Sequence, residues 1–133
     1  MANTILCSID MSASSRPAIK WAVSIAQQLK IHLTILYTYR LLHYRNGEVL
    51  LLKKKMEEEA QEQFALLEKE LLIGKGITYD FRTEIGFVTD RIEDHAKNNK
   101  LNFVVMNKTN GINGKENIDD LMEHIQVPVL LVP

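Results

Sequence analysis

The chain has 133 residues, of which 46% are hydrophobic and 25% are charged. This composition suits one folded domain rather than two domains or a disordered segment. Sixteen basic against seventeen acidic residues leave a net charge of -1, which argues against a partner with a strong negative charge, such as a nucleic acid or an anionic membrane.

Other classes are excluded by individual residue types. The single cysteine, Cys7, excludes an intramolecular disulfide and a cysteine-built metal site. No apolar run approaches the ~20 residues that a membrane helix needs. The first residues lack a basic segment and a cleavage site of the kind found in signal peptides, so we expect a cytoplasmic protein.

The first half of the chain alternates strand-like and helix-like patterns. Residues 4–9 form a short apolar run ended by Asp10, which predicts a buried strand. Ser12, Ala13, Ser14 and Ser15 are suited to a loop and a helix N-cap. The pattern then predicts a helix over about 16–30, a strand at 33–39, a turn at Asn46-Gly47 and a long amphipathic helix over 52–71.

The second half continues this alternation. Gly74 and Gly76 end the long helix, and alternation of apolar and charged residues over 79–84 predicts a strand at a sheet edge. Thr89 or Asp90 could cap the next helix, which would end at residues 98–100. The pattern then predicts a strand at 103–106, a polar loop over 107–117, a short helix over 118–125 and a last strand over 127–132.

This strict alternation predicts an α/β fold in a single domain over residues 1–133. We expect a doubly wound, five-stranded parallel sheet in the order 3-2-1-4-5, Rossmann-like or flavodoxin-like in its layers, with helices on both faces. Such sheets bind ligands beyond the carboxyl ends of the strands where the order reverses. Here that point lies between the first and fourth strands, where Asp10 and Asn107 follow, with Thr38 beside them.

The first strand and helix contain a spaced series of apolar, acidic and small residues: Ile5, Leu6, Asp10, Ser12, Ser15, Ala18, Ala22 and Ala26. The series resembles the start of the universal stress protein family, roughly I-L-V-x-x-D-x-S-x-x-S-x-x-A-x-x-x-A-x-x-x-A. The final residues V-P-V-L-L-V-P are similar to that family's last strand, P-V-L-V-V. The resemblance covers essentially the whole chain and implies a role in the stress response.

The resemblance also implies where a nucleotide would bind. Family members that bind ATP have G-x2-G-x9-G-[ST] after the fourth strand, where glycines let backbone N–H groups approach phosphates. This chain has Asn107 and Asn110 at the first two glycine positions, and Lys115-Glu116 where Gly-Ser would lie. The motif is therefore degenerate, although Gly111 and Gly114 repeat the G-x2-G spacing four residues later. The nucleotide-binding candidates are Ser8, Ile9, Asp10, Thr38, Met106, Asn107, Asn110, Gly111 and Gly114.

Three functions follow as hypotheses. The first is a regulatory or binding module that does not bind ATP in the family's usual way. Its alternative is a nucleotide-binding stress protein that uses the shifted glycine loop for ATP or AMP. The second is an enzyme that catalyses slow ATP hydrolysis or acyl or phosphoryl transfer. The third is a structural dimer that has lost its ligand site. The sequence has no Walker motif and no G-x-S-x-G turn, so no catalytic residue is assigned.

The resemblance implies a homodimer through the last strand, whose residues are Val127, Pro128, Val129, Leu130, Leu131 and Val132. An apolar strand at a sheet edge also favours pairing with a second copy. For Asp10, bonding to backbone N–H groups of its own turn is as plausible as binding a ligand. Cys7 is interpreted as a core residue, and no metal site is expected from the four histidines, interpreted as surface or rim residues: His32, His43, His95 and His124.

Overall fold

A computed structural model describes residues 3–41, 48–107 and 118–133. It contains a five-stranded parallel sheet in the order β3-β2-β1-β4-β5, which confirms the predicted fold. The elements are β1 (Thr4–Ile9), α1 (Ser15–Leu29), β2 (His32–Tyr39), α2 (Val49–Leu71), β3 (Tyr79–Ile85), α3 (Val88–Asn98), β4 (Leu101–Asn107), α4 (Ile118–His124) and β5 (Val129–Val132). None of the helices in these ranges is long and apolar enough to cross a membrane.

Each face of the sheet is covered by two helices. Helices α1 and α2 pack on one face, and α3 and α4 pack on the other. Helix α1 turns its small residues Ala18, Ala22 and Ala26 to the sheet, and each is fully buried. Because alanine at this spacing leaves little side-chain bulk, the helix can lie close to the central strands.

The central strand β1 is buried on both faces. Cys7 pairs in register with Ile35 of β2 and Val105 of β4, and it is fully buried. Burial raises the pKa of its thiol to about 12, so the reactive thiolate is disfavoured. This confirms the interpretation of Cys7 as a core residue.

Three predicted boundaries are wrong. Helix α3 begins at Val88 after the extended residue Phe87, so neither Thr89 nor Asp90 is its cap. The guanidinium of Arg40 lies 4.2 Å from the centre of the Phe87 ring, a cation–π contact just before α3. Strand β4 is longer than predicted and includes Asn107, which pairs with Val132 instead of starting a loop.

The last strand is shorter than the predicted 127–132. Pro128 has no N–H to donate, and its carbonyl accepts a hydrogen bond from the N–H of Val104 before β5 begins at Val129. Val127 packs instead into the core beneath α3 and α4. The predicted turn at Asn46-Gly47 lies outside the described residues, as does His43.

Candidate functional site

The carboxyl ends of β1 and β4 meet where the strand order reverses, as the sequence predicts. Asp10 directly follows β1, and Asn107 is the last residue of β4. The side-chain amide of Asn107 donates to the hydroxyl of Ser14 at 3.0 Å and to Asp10 Oδ2 at 3.5 Å. The buried amide therefore connects the end of β4 to the loop between β1 and α1.

Asp10 accepts several hydrogen bonds from its own loop. Its Oδ1 accepts from the backbone N–H of Ser12 at 2.9 Å, from the Ser12 hydroxyl at 2.5 Å and from the Ser15 hydroxyl at 2.8 Å. The Ser15 hydroxyl also accepts from the backbone N–H of Asp10 at 3.1 Å. Asp10 therefore has the first of its two expected roles, since it bonds to a backbone N–H of its own turn and organises the loop.

These hydrogen bonds also set the charge of Asp10. Burial alone would raise the pKa of this carboxyl group, but hydrogen bonds from Ser12, Ser15 and Asn107 outweigh it and hold the pKa below its ordinary value of 3.8. A carboxyl group with a lowered pKa is ionised at neutral pH. The carboxylate of Asp10 therefore places a negative charge at the end of β1, and its Oδ1 already accepts hydrogen bonds from the loop.

The loop after Asp10 has a strained backbone. Met11 has a φ of 65°, in the left-handed region that side chains with a Cβ disfavour by about 1–2 kcal/mol. Its side chain packs against the core under α1, which offsets part of that strain. Strain of this kind often marks functional sites, and here the hydrogen bonds of Asp10 on either side of Met11 stabilise it.

Four other predicted site residues are described by the structure, and they lie in the carboxyl-terminal parts of β1, β2 and β4. Ser8, Ile9 and Met106 are buried, and Ser8 pairs in register with Met106, so these positions can present backbone groups at the strand ends. Thr38 is buried near the end of β2, and its Oγ1 has no hydrogen-bond partner among the described residues. Asn110, Gly111 and Gly114 lie outside the described residues, together with Lys108, Lys115 and Glu116.

Two members of this network were missed by the sequence interpretation. Ser14 and Ser15 were assigned to a loop and a helix cap, and Ser14 does occupy the N-cap position of α1. However, its hydroxyl makes no capping bond to the helix and accepts from Asn107 instead. The signal in the sequence is the density of serines directly after Asp10, since each hydroxyl is a short donor within reach of that carboxylate.

The interpretation of every histidine as a surface or rim residue is wrong for His95. Its side chain is 8% exposed, and its Nε2 lies 2.9 Å from Glu84 Oε2 of β3. His32 is half-buried and bridges β2 to β3, with its Nε2 2.7 Å from Asp80 Oδ1. Within the described ranges, no group of three or more His, Cys, Asp or Glu residues is arranged to bind a metal ion.

Several solved structures have the same fold. A universal stress protein from Lactobacillus plantarum is 19% identical, with a TM-score of 0.81, and the match covers 98% of this chain and 97% of that one. An Arabidopsis thaliana family member described with AMP bound is 12% identical, with a TM-score of 0.67 and coverage of 98% and 90%. A protein from Archaeoglobus fulgidus in complex with dAMP is also 12% identical, with a TM-score of 0.67 and coverage of 100% and 98%.

A search of curated proteins found no match. The family model described as the universal stress protein family matches residues 1–133. That match agrees with the sheet order, with the Asp10 loop at the end of β1 and with the structural similarities. The chain therefore belongs to the universal stress protein family.

Proposed function

We propose that this stress protein is a regulatory binding module that does not bind ATP in its family's usual way. The observation that carries the proposal is the position of the Asn107 amide, which lies between the end of β4 and the β1–α1 loop, bonded to Ser14 and Asp10. A ligand entering between β1 and β4 would have to displace this amide. The protein would then act by changing its interaction with a protein partner, through one domain that spans residues 1–133.

Charge in the sequence supports the same conclusion. Where the ATP-binding motif of the family has Gly-Ser, this chain has Lys115-Glu116, which puts a carboxylate at a phosphate-binding position of the motif. Such a like-charge contact opposes binding of a triphosphate unless a cation or new donors compensate.

A second candidate is a nucleoside monophosphate, which would need less space at the phosphate end. Its support is Thr38, whose buried Oγ1 lacks a partner among the described residues near the end of β2. A buried hydroxyl without a hydrogen bond is unfavourable by about 1–3 kcal/mol, so a ligand group that bonds to it would gain affinity. The structures with AMP and dAMP support this class of ligand. The alternative with ATP and slow hydrolysis depends on Gly111 and Gly114.

The proposal also includes a homodimer through β5. Members of the family commonly form dimers. Strand β5 lies at an edge of the sheet and consists of Val129, Leu130, Leu131 and Val132, all apolar. An unpaired apolar edge strand favours addition of a further strand, and a second β5 is the simplest one available. We also propose a cytoplasmic location, which is compatible with a chain whose single cysteine, Cys7, is buried and forms no disulfide.

The test of the proposed cleft is calorimetric titration of nucleotide-free protein with Mg-ATP and separately with AMP. We expect no saturable Mg-ATP binding with a Kd of about 100 μM or lower. The Asn107→Gly variant should gain Mg-ATP affinity, because it removes the amide from the cleft. The matched control is Asn99→Gly, which changes an exposed asparagine beyond the end of α3. Saturable binding of Mg-ATP to the unaltered protein would overturn the proposal.

The AMP titration tests the second candidate. If AMP binds, Thr38→Val should weaken it by about tenfold, the loss of about one hydrogen bond. Thr34→Val is the control on the same strand, since the Thr34 hydroxyl already donates to Asp80 Oδ1 at 2.7 Å. Equal AMP affinities in the Thr38→Val variant and the unaltered protein would exclude Thr38 as a ligand contact.

A further inference from the structure

We propose that the edge of the sheet where the strands begin binds an extended acidic segment of a protein partner. The surface consists of the connections that precede β2, β3 and β4, and its charged residues are Lys30, Lys75 and Lys100. We call it the basic edge. It lies at the opposite end of the strands from Asp10 and Asn107. The inference rests on the proposed function in one respect, since it names the chemistry of the protein partner, and it concerns a site separate from the cleft.

The connections at this edge contain lysines and no carboxylates. Residues 30–31 connect α1 to β2, residues 72–78 connect α2 to β3, and residues 99–100 connect α3 to β4. Each connection has one lysine and no Asp or Glu, and residues 125–128 before β5 have no charged side chain. The chain as a whole has 17 acidic and 16 basic residues, so this edge differs from the rest of the chain. A surface with charges of one sign attracts a ligand of the opposite charge.

Three carboxylates flank the connection between α2 and β3, and each has a partner within the protomer. Glu68 accepts a hydrogen bond from a tyrosine hydroxyl of β3 at 2.6 Å, and Glu70 pairs with an arginine of α1. Both oxygens of Asp80 accept hydrogen bonds from side chains of β2 and β3. In the part of the chain that the structure describes, neither Lys30 nor Lys75 forms an ion pair. Their charges are therefore available to a partner.

A cavity of about 480 Å³ is lined by Lys30 and Lys75. None of its lining residues is acidic, and its polar lining includes His32. Ile31 and Ile77 supply an apolar part of the wall and pack against the core from its other side. The volume is within the range of about 300–1,000 Å³ that is usual for ligand pockets. The cavity can therefore hold one apolar side chain of a partner, while neighbouring carboxylates of that partner meet the two lysines.

The walls of this cavity are fixed by hydrogen bonds and by backbone geometry. The side chain of Gln27 donates to the carbonyl of Lys75 at 2.8 Å, which ties the connection before β3 to α1. Lys30 ends α1 in the left-handed conformation, with a φ of 57°, and its N–H donates to the carbonyl of Ala26. Gly76 has a φ of 73°, and no atom would lie within 4 Å of a Cβ there, so the backbone is open to a partner. A surface formed before binding loses little conformational entropy when a partner binds.

The order of the strands identifies the occupant as an extended segment. Lys75 precedes β3, Lys30 precedes β2 and Lys100 precedes β4, in a sheet of order β3-β2-β1-β4-β5. With about 4.8 Å between neighbouring strands, the three connections span about 14 Å. A single phosphate or carboxylate group cannot contact charges across that distance. About five residues of extended chain can, at about 3.3 Å per residue.

A nucleic acid fits this surface less well than an acidic protein segment. Double-stranded DNA carries about one negative charge per 1.7 Å of its axis. Three lysines on a chain with a net charge of -1 would leave most of those charges uncompensated. A protein segment with a few carboxylates and one apolar side chain matches both the number of lysines and the cavity between two of them.

Nuclear magnetic resonance titration of the ¹⁵N-labelled protein with a blocked peptide, E-E-E-L-E-E-E, tests the proposal. We expect saturable amide shifts confined to residues 30–32, 74–78 and 99–101, with a Kd below about 1 mM at low salt. Affinity should fall as salt is raised to about 150 mM, because exposed charges are screened. The double variant Lys30→Gln/Lys75→Gln should bind about tenfold more weakly, as expected for two exposed ion pairs. The matched control is Lys54→Gln/Lys55→Gln, which makes the same change in net charge at exposed positions of α2.

Two further changes separate the roles of the lysines and the cavity. Lys30 is at the C-terminus of α1, where a cation also stabilises the helix, whereas Lys75 belongs to another connection. Lys75→Gln should therefore weaken the peptide by about threefold and leave the free energy of unfolding unchanged. A peptide with glycine in place of leucine should bind about tenfold more weakly, because it leaves the cavity empty. Equal affinities for the two peptides would overturn the assignment of the cavity.

The remaining outcomes each overturn the proposal. No shifts at about 1 mM peptide would do so, and so would equal affinities in the Lys30→Gln/Lys75→Gln variant and the unaltered protein. Shifts centred on the Asp10 loop would place the peptide in the cleft. Inorganic phosphate that binds as tightly as the peptide would indicate a site for small anions, and a single-stranded oligonucleotide of equal charge that does so would indicate a site for any polyanion. None of these results affects the Mg-ATP titration, so the two proposals fail separately.

Discussion

Strands β3 and β5 are both edges of the same sheet, yet only β3 carries charged side chains. On the face toward α3, β3 carries the charged residues Asp80, Arg82 and Glu84, while β5 has the sequence V-L-L-V. Edge strands that remain open to water use charges to prevent pairing with another chain. The comparison supports the proposal that β5 pairs with a second copy of the chain, whereas the charged side chains of β3 have their partners within the protomer.

Side chains on both faces of β3 contact other elements of the same protomer. On one face, Phe81 stacks on Phe64 of α2 with ring centres 4.1 Å apart. On the other face, Asp80 bonds to His32 and Thr34, and Glu84 bonds to His95 of α3. Leu130 and Val132 of β5 instead make apolar contacts, since both pack in the core cluster that includes the buried residues of α1.

The largest expected effect is loss of the dimer in Leu131→Lys. A lysine at the paired edge would put an unpaired charge in an apolar interface, and we expect the Kd to rise at least about 100-fold. The matched change at the other edge is Ile85→Lys, because Ile85 is 39% exposed and Leu131 is 36% exposed. Sedimentation should give a monomer for the first variant and an unchanged mass for the second. Equal masses for both variants would remove the distinction between the edges.

The next effect concerns the attachment of β3 to α2. Phe64→Ala removes the ring that stacks on Phe81 and should lower the free energy of unfolding by about 3–5 kcal/mol. Leu66→Ala on the same helix is the control, and it should change stability by less than about 0.5 kcal/mol because Leu66 is exposed. Urea denaturation measures both values. A loss below 1 kcal/mol for Phe64→Ala would show that β3 is attached by other contacts.

A smaller effect is expected on the α3 face of β3. His95→Ala leaves Glu84 without its imidazole partner and should lower the free energy of unfolding by about 1–3 kcal/mol. His95→Gln keeps a donor on a side chain of similar length, so it should recover part of that loss. Urea denaturation at pH 7 compares the two variants. If they are equally stable, the hydrogen bond to Glu84 adds nothing to the packing of this position.

The smallest effect is the acid sensitivity of β3. Burial would raise the pKa of Asp80, but bonds from Arg82, Thr34 and His32 outweigh it and hold the pKa below 3.8. A lowered folded pKa gives stability that is present above the unfolded pKa and is lost as pH falls through the folded value. Unfolding measured between about pH 5 and pH 2 should therefore show a smaller loss of stability in Asp80→Asn than in the unaltered protein. The same slope in both proteins would contradict this assignment.

The alternation of apolar strands and amphipathic helices was sufficient to predict a parallel sheet covered on both faces, and the doubly wound order 3-2-1-4-5 that we expected for it is the observed one. The sequence placed Asp10 and Asn107 together through the topology alone. It could not predict that Asn107 bonds to Ser14, since that contact depends on β4 extending through Asn107. Burial of His95 was missed although it follows Val88 and Ile92 at helical spacing, because the sequence does not show that its polar ring has a partner in Glu84 of β3.

The central claim is that β5 is covered by a second copy while β3 is complete within the protomer. Amide hydrogen exchange measured at several protein concentrations tests it most directly, because exchange reports the protection of each strand separately. The account predicts slow exchange of residues 129–132 at high concentration and faster exchange on dilution below the dimer Kd, with exchange in 79–85 unchanged. Exchange in 129–132 that is equally fast at every concentration would contradict it.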